Sequence, residues 1–422
     1  MYLNVIDLFA GAGGLSEGFL RQRFNILAKI EKDKAACETL LTRMAYYNLK
    51  ENNKLHIYKD YIQGEISKEL LLSHCENLVP SKIINQEINK ENLLDIFAKV
   101  NKLLMNKELD GIIGGPPCQA YSIVGRSRNS YKKDNDERIY LYQYYAQFLD
   151  YFKPKFFLFE NVKGLLSFKD HNNELLLPKI LEEFSKVGYQ TEVMTVNAAD
   201  YGVPQKRERV FIFGYNNMYN FSNFFETLEA EKNSSTITIN RLFQDLPKIK
   251  SGETSFKYNR GIEKDSYLNE TGIRDEWDIL TQHIARRNNE RDLEIYKMVA
   301  SGKRNGKNIT YEMIPEHLQT HNNTSSFLDR FKALDGEGVA HTIVAHIAKD
   351  GHHYIHPDDK QNRSITVREA ARIQTFPDNF YFESSRTTAF QQIGNAVPPL
   401  LAEKLAKVVK DIVILQKDST LN

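Results

Sequence analysis

Apolar positions in the first half of the chain fall into short runs separated by amphipathic stretches. Residues 3–9 (LNVIDLF) make one such run and predict a buried strand. The turn Gly11-Ala12-Gly13-Gly14 follows, and residues 15–22 repeat their apolar positions with helical period. Residues 24–30 predict a second strand and 34–47 a second helix. Apolar runs at 111–113, 156–159, 193–196 and 210–213 predict further strands, with a helix over 175–187 before the third of these. Strands alternating with helices predict an α/β fold: a doubly wound, mostly parallel sheet covered on both faces.

Two stretches break the alternation. Residues 50–105 are rich in Asn, Lys and Glu, with helical period over 93–104, and read as an inserted, mostly helical surface segment. A long solvated connection is the alternative, although such lengths are uncommon. From about residue 216 to 359, Asn, Ser, Thr, Gly and charge dominate, which predicts a second, smaller domain of short strands and loops. Helical period returns at 367–374 and 398–415, where Pro398 suits a first helical turn. The expected division is therefore 1–237, 238–357, and a segment 358–422 returning to the first domain.

Composition narrows the classes. At 422 residues, with 41% hydrophobic and 26% charged positions, the chain is ordinary for two or three globular domains. The balance of 56 Lys+Arg against 55 Asp+Glu excludes a wholesale basic coat and a long acidic tail, but leaves room for a local basic groove. Three cysteines (Cys37, Cys75, Cys118) without CxxC spacing argue against a disulfide scaffold or a zinc cluster, and for a reducing compartment. The first residues lack the pattern of a secretory signal, and no stretch nears the roughly 18 apolar residues of a membrane span, so a cytoplasmic protein is expected. His352, His353 and His356 read as a turn between strands; no metal is expected, because no acidic or Cys partner stands at ligand spacing.

Four blocks carry candidate chemistry. Asp7-Leu8-Phe9-Ala10 runs into the glycine turn, where a backbone can approach a ligand closely, and Glu31 closes the second strand about 20 residues on, where nucleotide folds place a ribose-binding acid. The turn is not GxGxxG, which favours another adenosine cofactor over a dinucleotide. Gly114-Gly115-Pro116-Pro117 makes a rigid bend that presents Cys118 at a strand's C-terminal edge, where a thiol can act as nucleophile. In Phe157-Leu158-Phe159-Glu160-Asn161, an apolar strand delivers Glu160 to the sheet edge, where desolvation raises a carboxyl pKa. Alternation places Gln205, Arg207 and Arg209 on one face, with arginine forks suited to phosphates and base edges. Taken singly, each has a plainer reading: a solvated acid, a structural thiol, a surface cap, an edge charge ladder.

The tail adds RSITVREAARIQTFP (363–377) and QIGNAVPP (392–399). Six blocks in this order resemble the C5-cytosine DNA methyltransferases. The resemblance spans nearly the whole chain except residues 50–105 and most of 216–340. It implies a Rossmann-like class I methyltransferase fold with a smaller target-recognition domain, and S-adenosylmethionine as cofactor. Asp7, Phe9, Ala10 and the glycines Gly11, Gly13 and Gly14 would line that cofactor, Phe9 on the adenine side and Gly11 and Gly13 against the methionine part. Glu31 would hold the ribose, Asp60 would stand for the family's acid after the next strand, Pro116 would border the pocket, and Asn395 with Ala396 would complete it.

The same resemblance matches Cys118 to the catalytic thiol. Cytosine C5 is too weak a nucleophile unaided; thiolate attack at C6 makes an enamine, and protonation at N3 by Glu160 relieves the charge. Arg209, Arg207 and Gln205 would orient Glu160 and the cytosine oxygen. The base must be swung out of the duplex first. Residues 122–133 would form a loop closing over the DNA, with Gln119, Ser122, Arg126 and Arg128 meeting it, and Thr342-Ile343 is the hallmark of the target-recognition domain. The implied partners are double-stranded DNA, bound by a monomer, and a cognate restriction endonuclease acting separately. A tRNA-directed relative shares the motifs, but the long variable region favours DNA. A non-catalytic DNA-binding regulator would keep the fold, but intact Cys118, Glu160 and Arg209 speak against it.

Overall fold

The computed structural model describes residues 2–76, 78–117, 137–233, 237–320 and 328–419. Its strands are β1 (Asn4–Leu8), β2 (Asn25–Glu31), β3 (Ile83–Asn85), β4 (Gly111–Gly114), β5 (Phe156–Val162), β6 (Tyr189–Asn197), β7 (Gln205–Lys206), β8 (Glu208–Asn216) and β9 (Ala340–His341). Seven of them form one sheet in the order β3-β2-β1-β4-β5-β8-β6. Strands β3 to β5 along this order pair in parallel, while β8 runs antiparallel to both β5 and β6.

The sheet is buried on both faces, and β5 shows why. Phe156 and Leu158 enter one core with Leu15, Phe19, Leu401 and Leu405, while Phe157 and Phe159 enter the other with Phe97, Tyr145, Phe148 and Phe184. A strand alternates its side chains, so four consecutive apolar residues feed two layers. Helices Gly14–Arg21 and Pro399–Ser419 cover the first face; Leu93–Leu104, Leu141–Phe152 and Leu176–Lys186 cover the second. Gly18 lets the first pair touch backbone to backbone, since a Cβ there would lie 2.3 Å from the carbonyl carbon of Ala402.

Residues 50–105 correct the expectation of an insertion. They supply β3, whose Ile83 and Ile84 pair with Lys29 and Ile30, and the helix Leu93–Leu104 buries Ile96, Phe97 and Val100 against the sheet. The intervening helices Leu55–Ile62 and Lys68–Ser73 pack instead with Trp277.

The second region has its own core, and the segment from residue 358 divides between the two. Val367, Ala370, Ile373, Phe390 and Ile393 bury with Ile239, Leu242, Leu268, Ile343 and Tyr354, whereas Leu400 to Val413 join the sheet. Thr366 and Glu369 form a capping box at the start of Val367–Ile373. Along that helix Arg368 and Arg372, with Arg363 before it, are fully buried, which is tolerable only because each is paired or hydrogen-bonded. Arg363 forks onto Glu369, Arg372 bridges Asp245 and Asp378, and Arg368 donates to the carbonyls of Thr281, Pro377 and Phe380. Among the described residues no helix is long and apolar enough to cross a membrane.

Candidate active site and cofactor pocket

The glycine turn leaves β1 through Phe9 and Gly11, both at positive φ (56° and 53°), and enters its helix through Gly13 at φ 84°. At Gly13 this geometry favours glycine doubly, because a Cβ would stand 2.7 Å from Leu40 Cδ2. Beyond Gly11 there is open space, so the backbone there is free to meet a ligand. Glu31, at the end of β2, is fixed by two backbone donors: Gly11 N–H to Oε2 and Asp33 N–H to Oε1, each at 2.8 Å. Each carboxylate oxygen keeps a further lone pair, which suits a pair of ligand hydroxyls.

Beneath the turn, Asp7 is buried and accepts a hydrogen bond from the Ser16 hydroxyl. Burial pushes its carboxyl up to about 7, against the opposing pull of Ser16 and Lys29. Lys29 pairs with Asp7 in the register of β1 and β2, and burial draws its ammonium down to about 8. Asp7 is thus a support of the turn through Ser16, a residue that sequence reasoning passed over. Asn395 ends the helix Arg386–Asn395, and the chain after it lies on the turn: a Cβ on Gly14 would meet Ala396 Cβ at 3.1 Å and Val397 O at 2.2 Å. The structure therefore brings Ala396, and with it the end of the helix that carries Asn395, to the N-terminal turn.

Asp60 is elsewhere. It lies in the helix Leu55–Ile62, not after a strand, because the residues around it carry helical rather than alternating apolar positions. The acid that follows β3 is Glu87, 2.7 Å from Lys32.

The adjacent strands build the second half of the site. Leu8 pairs with Gly114 and Gly114 with Phe159, so the ends of β1, β4 and β5 are side by side. Gly115 lies against Glu160, where a Cβ would be 2.1 Å from its carbonyl oxygen and 3.0 Å from Oε2. Asn161 Nδ2 donates to Pro116 O at 3.3 Å, which fixes the bend leading to position 118. Cys118, Gln119, Ser122, Arg126 and Arg128 lie outside the described residues. Glu160 is 15% exposed and its Oε1 is 3.0 Å from Arg209 Nε. Burial raises its carboxyl pKa, and Arg209 and then Arg207 oppose that rise.

Gln205 and the Thr342-Ile343 doublet require correction. The resemblance implies that Gln205 and Arg207 stand with Arg209 at the reacting centre. Both are buried at the junction with the second region: Gln205 Oε1 accepts from Ile343 N–H at 2.7 Å, and Arg207 Nη1 donates to Ile343 O at 2.8 Å while its charge still reaches Glu160. The short β7 pairs with β9, and the Thr342 hydroxyl donates to Lys206 O at 2.6 Å. The Ile343 side chain is fully buried, so it anchors the second region and presents no side chain to DNA.

The family model of the C-5 cytosine-specific DNA methylases matches residues 3–73 and 80–411. Type II methyltransferase M.Bpa9945I of Bacillus paralicheniformis is 40% identical, over 97% of this chain and 99% of its own length. Type II methyltransferase M.DdeI of Desulfomicrobium norvegicum is 32% identical, over 96% of this chain and 88% of its own. In fold, the chain resembles the crystal structure of a prophage-encoded DNA modification methyltransferase from E. coli, with a TM-score of 0.65 at 24% identity, covering 97% of this chain and 99% of that one. Matched along nearly its whole length, the chain belongs to the C-5 cytosine-specific DNA methylases, enzymes that methylate cytosine in DNA with S-adenosylmethionine.

Proposed function

We propose that this chain methylates C5 of a cytosine swung out of duplex DNA, through a transient bond from Cys118 to C6. The observation that carries the reading is Glu160: a carboxyl at the end of β5, lifted in pKa by burial and oriented by Arg209, beside the Gly115-Pro116 bend that runs into Cys118. Burial favours the protonated form of such a group, which can deliver its proton to N3 as the thiolate adds to C6. The product of addition is a neutral enamine, whose electron pair makes C5 nucleophilic. After methylation a base removes the C5 proton, the C6–S bond breaks with the thiolate as leaving group, the 5,6 double bond returns, and the N3 proton goes back to the Glu160 carboxylate.

The residues present fit the cofactor. Open space over Gly11, and the free lone pairs of Glu31, suit the methionine and ribose parts of S-adenosylmethionine. When bound, it supplies a methyl group made electrophilic by a sulfonium. Phe9, Gly11, Gly13 and Glu31 would hold it, Asn395 and Ala396 would close the pocket, and Glu87 takes the place expected of Asp60. Residues from about 238 to 357 would read the DNA word, and the relatives' names suit the modification half of a restriction–modification pair; the chain would work as a monomer on duplex DNA.

Duplex DNA carrying 5-fluorocytosine tests the mechanism, since fluorine at C5 blocks the final elimination. The wild-type chain with S-adenosylmethionine should form a denaturation-resistant adduct, and Cys118→Ala should form none while still binding DNA. An adduct with Cys118→Ala, or none with the wild type, would refute the covalent route; labelled methyl transfer onto tRNA in preference to DNA would refute the substrate.

A further inference from the structure

Two buried amides and one arginine meet where the catalytic strand, the second region and the end of the cofactor pocket come together. Gln205 Nε2 donates to Gln374 Oε1 at 2.9 Å, while Gln205 Oε1 accepts from Ile343 N–H at 2.7 Å. Gln374 Nε2 donates to Ile393 O at 2.7 Å and reaches Ala396 O at 3.4 Å. Arg207 Nη1 donates to Ile343 O at 2.8 Å and Nη2 to Gly394 O at 3.2 Å. Gln205 and Gln374 are 0% exposed and Arg207 is 1% exposed. The N–H and C=O of Ile343 are thus gripped by neighbouring side chains of one segment, and the carbonyls on both sides of Asn395 are gripped by Arg207 and Gln374.

We propose that Gln374, with Gln205 and Arg207, is a positioning hub that couples the engagement of DNA by the second region, transmitted through the backbone of Ile343, to the shape of the cofactor pocket at Asn395. The inference rests on the assignment of those two sites made above. Its physical basis is that no solvent reaches these groups. A shift of Ile343 as the second region engages DNA must either carry Gln205 and Arg207 with it or leave buried donors and acceptors unpaired, and the second course is the costlier. Gln205 and Arg207 in turn hold Gln374 and Gly394, so the displacement reaches the chain around Asn395. Arg209 lies two residues beyond Arg207, so the same hub is tied to the strand that orients Glu160. Coupling of this kind is reciprocal: whatever DNA does to cofactor affinity, cofactor does to DNA affinity.

The test is a cross-effect. Gln205 faces Ile343 and has no bond to the pocket residues, yet Gln205→Met in the full chain should weaken S-adenosylhomocysteine binding, measured calorimetrically without DNA, by about five- to tenfold. Gln374→Met should do the same and also raise KM for PCR-amplified, unmethylated DNA in a tritiated methyl-transfer assay. The double variant should lose no more than the larger single loss, because both substitutions break one relay. Should Gln205→Met fail to give folded protein by near-ultraviolet circular dichroism, Gln205→Asn, which keeps the amide but withdraws it, is read by the same criteria. A folded Gln205 variant that binds S-adenosylhomocysteine within about twofold of wild type, or a double variant with fully additive losses, would overturn the hub. A wild-type chain that does not bind S-adenosylhomocysteine at all would instead refute the cofactor assignment.

Discussion

Arg209 Nε lies 3.0 Å from Glu160 Oε1, and the two residues are diagonal neighbours in the sheet: Arg209 pairs with Val162, two residues past Glu160. The guanidinium is therefore held by strand register rather than by a flexible loop. It opposes a carboxyl pKa that burial raises. Removing it should let that pKa climb further.

In its proposed role as the acid at N3, Glu160 must carry its proton, so kcat should fall as pH rises through its pKa. Arg209→Ala should move this descending limb to higher pH while lowering kcat through lost orientation. Glu160→Gln should lower kcat by ~10²–10⁴ and abolish the limb. A limb that stays in place in both variants would show that another group controls it.

Glu31 holds the turn and, by the proposal, the ribose. Glu31→Ala removes the acceptor for Gly11 N–H and Asp33 N–H. S-adenosylhomocysteine affinity should drop about ten- to a hundredfold, as hydrogen bonds to a charged group are lost. DNA binding measured by mobility shift should change little.

Gly18→Ala tests the contact between the first and last helices. Its Cβ would press on the Ala402–Glu403 backbone at 2.3 Å, and backbone cannot swing aside as a flexible side chain does. A loss of ~1–3 kcal/mol in urea denaturation is expected.

Asp7 gives a pH signature of stability. Its carboxyl titrates near 3.8 in the ordinary case and at about 7 when folded, so between these values the folded chain binds the extra proton. Stability contributed through this group must then decline as pH rises from about 4 to about 7, and level off above. Asp7→Asn should remove the decline, so its stability relative to wild type should improve across that window. A difference independent of pH would show that Asp7 is ionised in the folded chain.

How much of this was legible in the sequence follows from the range of the interactions. The glycine turn, Glu31 and Glu160 depend on their own strand ends, and local pattern places them. The strand Ile83–Asn85 is only three residues long and sits among polar neighbours, so its apolar signal is too short to stand out; it is a strand because β2 offers it an edge. Asp60 was misplaced for the same reason, since the strand it was expected to follow lies more than twenty residues further on. Gln205 and Arg207 alternate with Arg209 as expected, but their partners at Ile343, Gln374 and Gly394 are 136 to 187 residues away, with separations that no periodicity records.

The packing of Pro399–Ser419 on Gly14–Arg21 also bears on truncation. The residues beside the glycine turn come from the junction of the last two described helices in chain order, while the turn itself follows directly on β1. A chain cut before Pro399 would lose that packing and leave the apolar face of Gly14–Arg21 bare, so it should aggregate or be degraded even though all the other strands and helices of the sheet are intact.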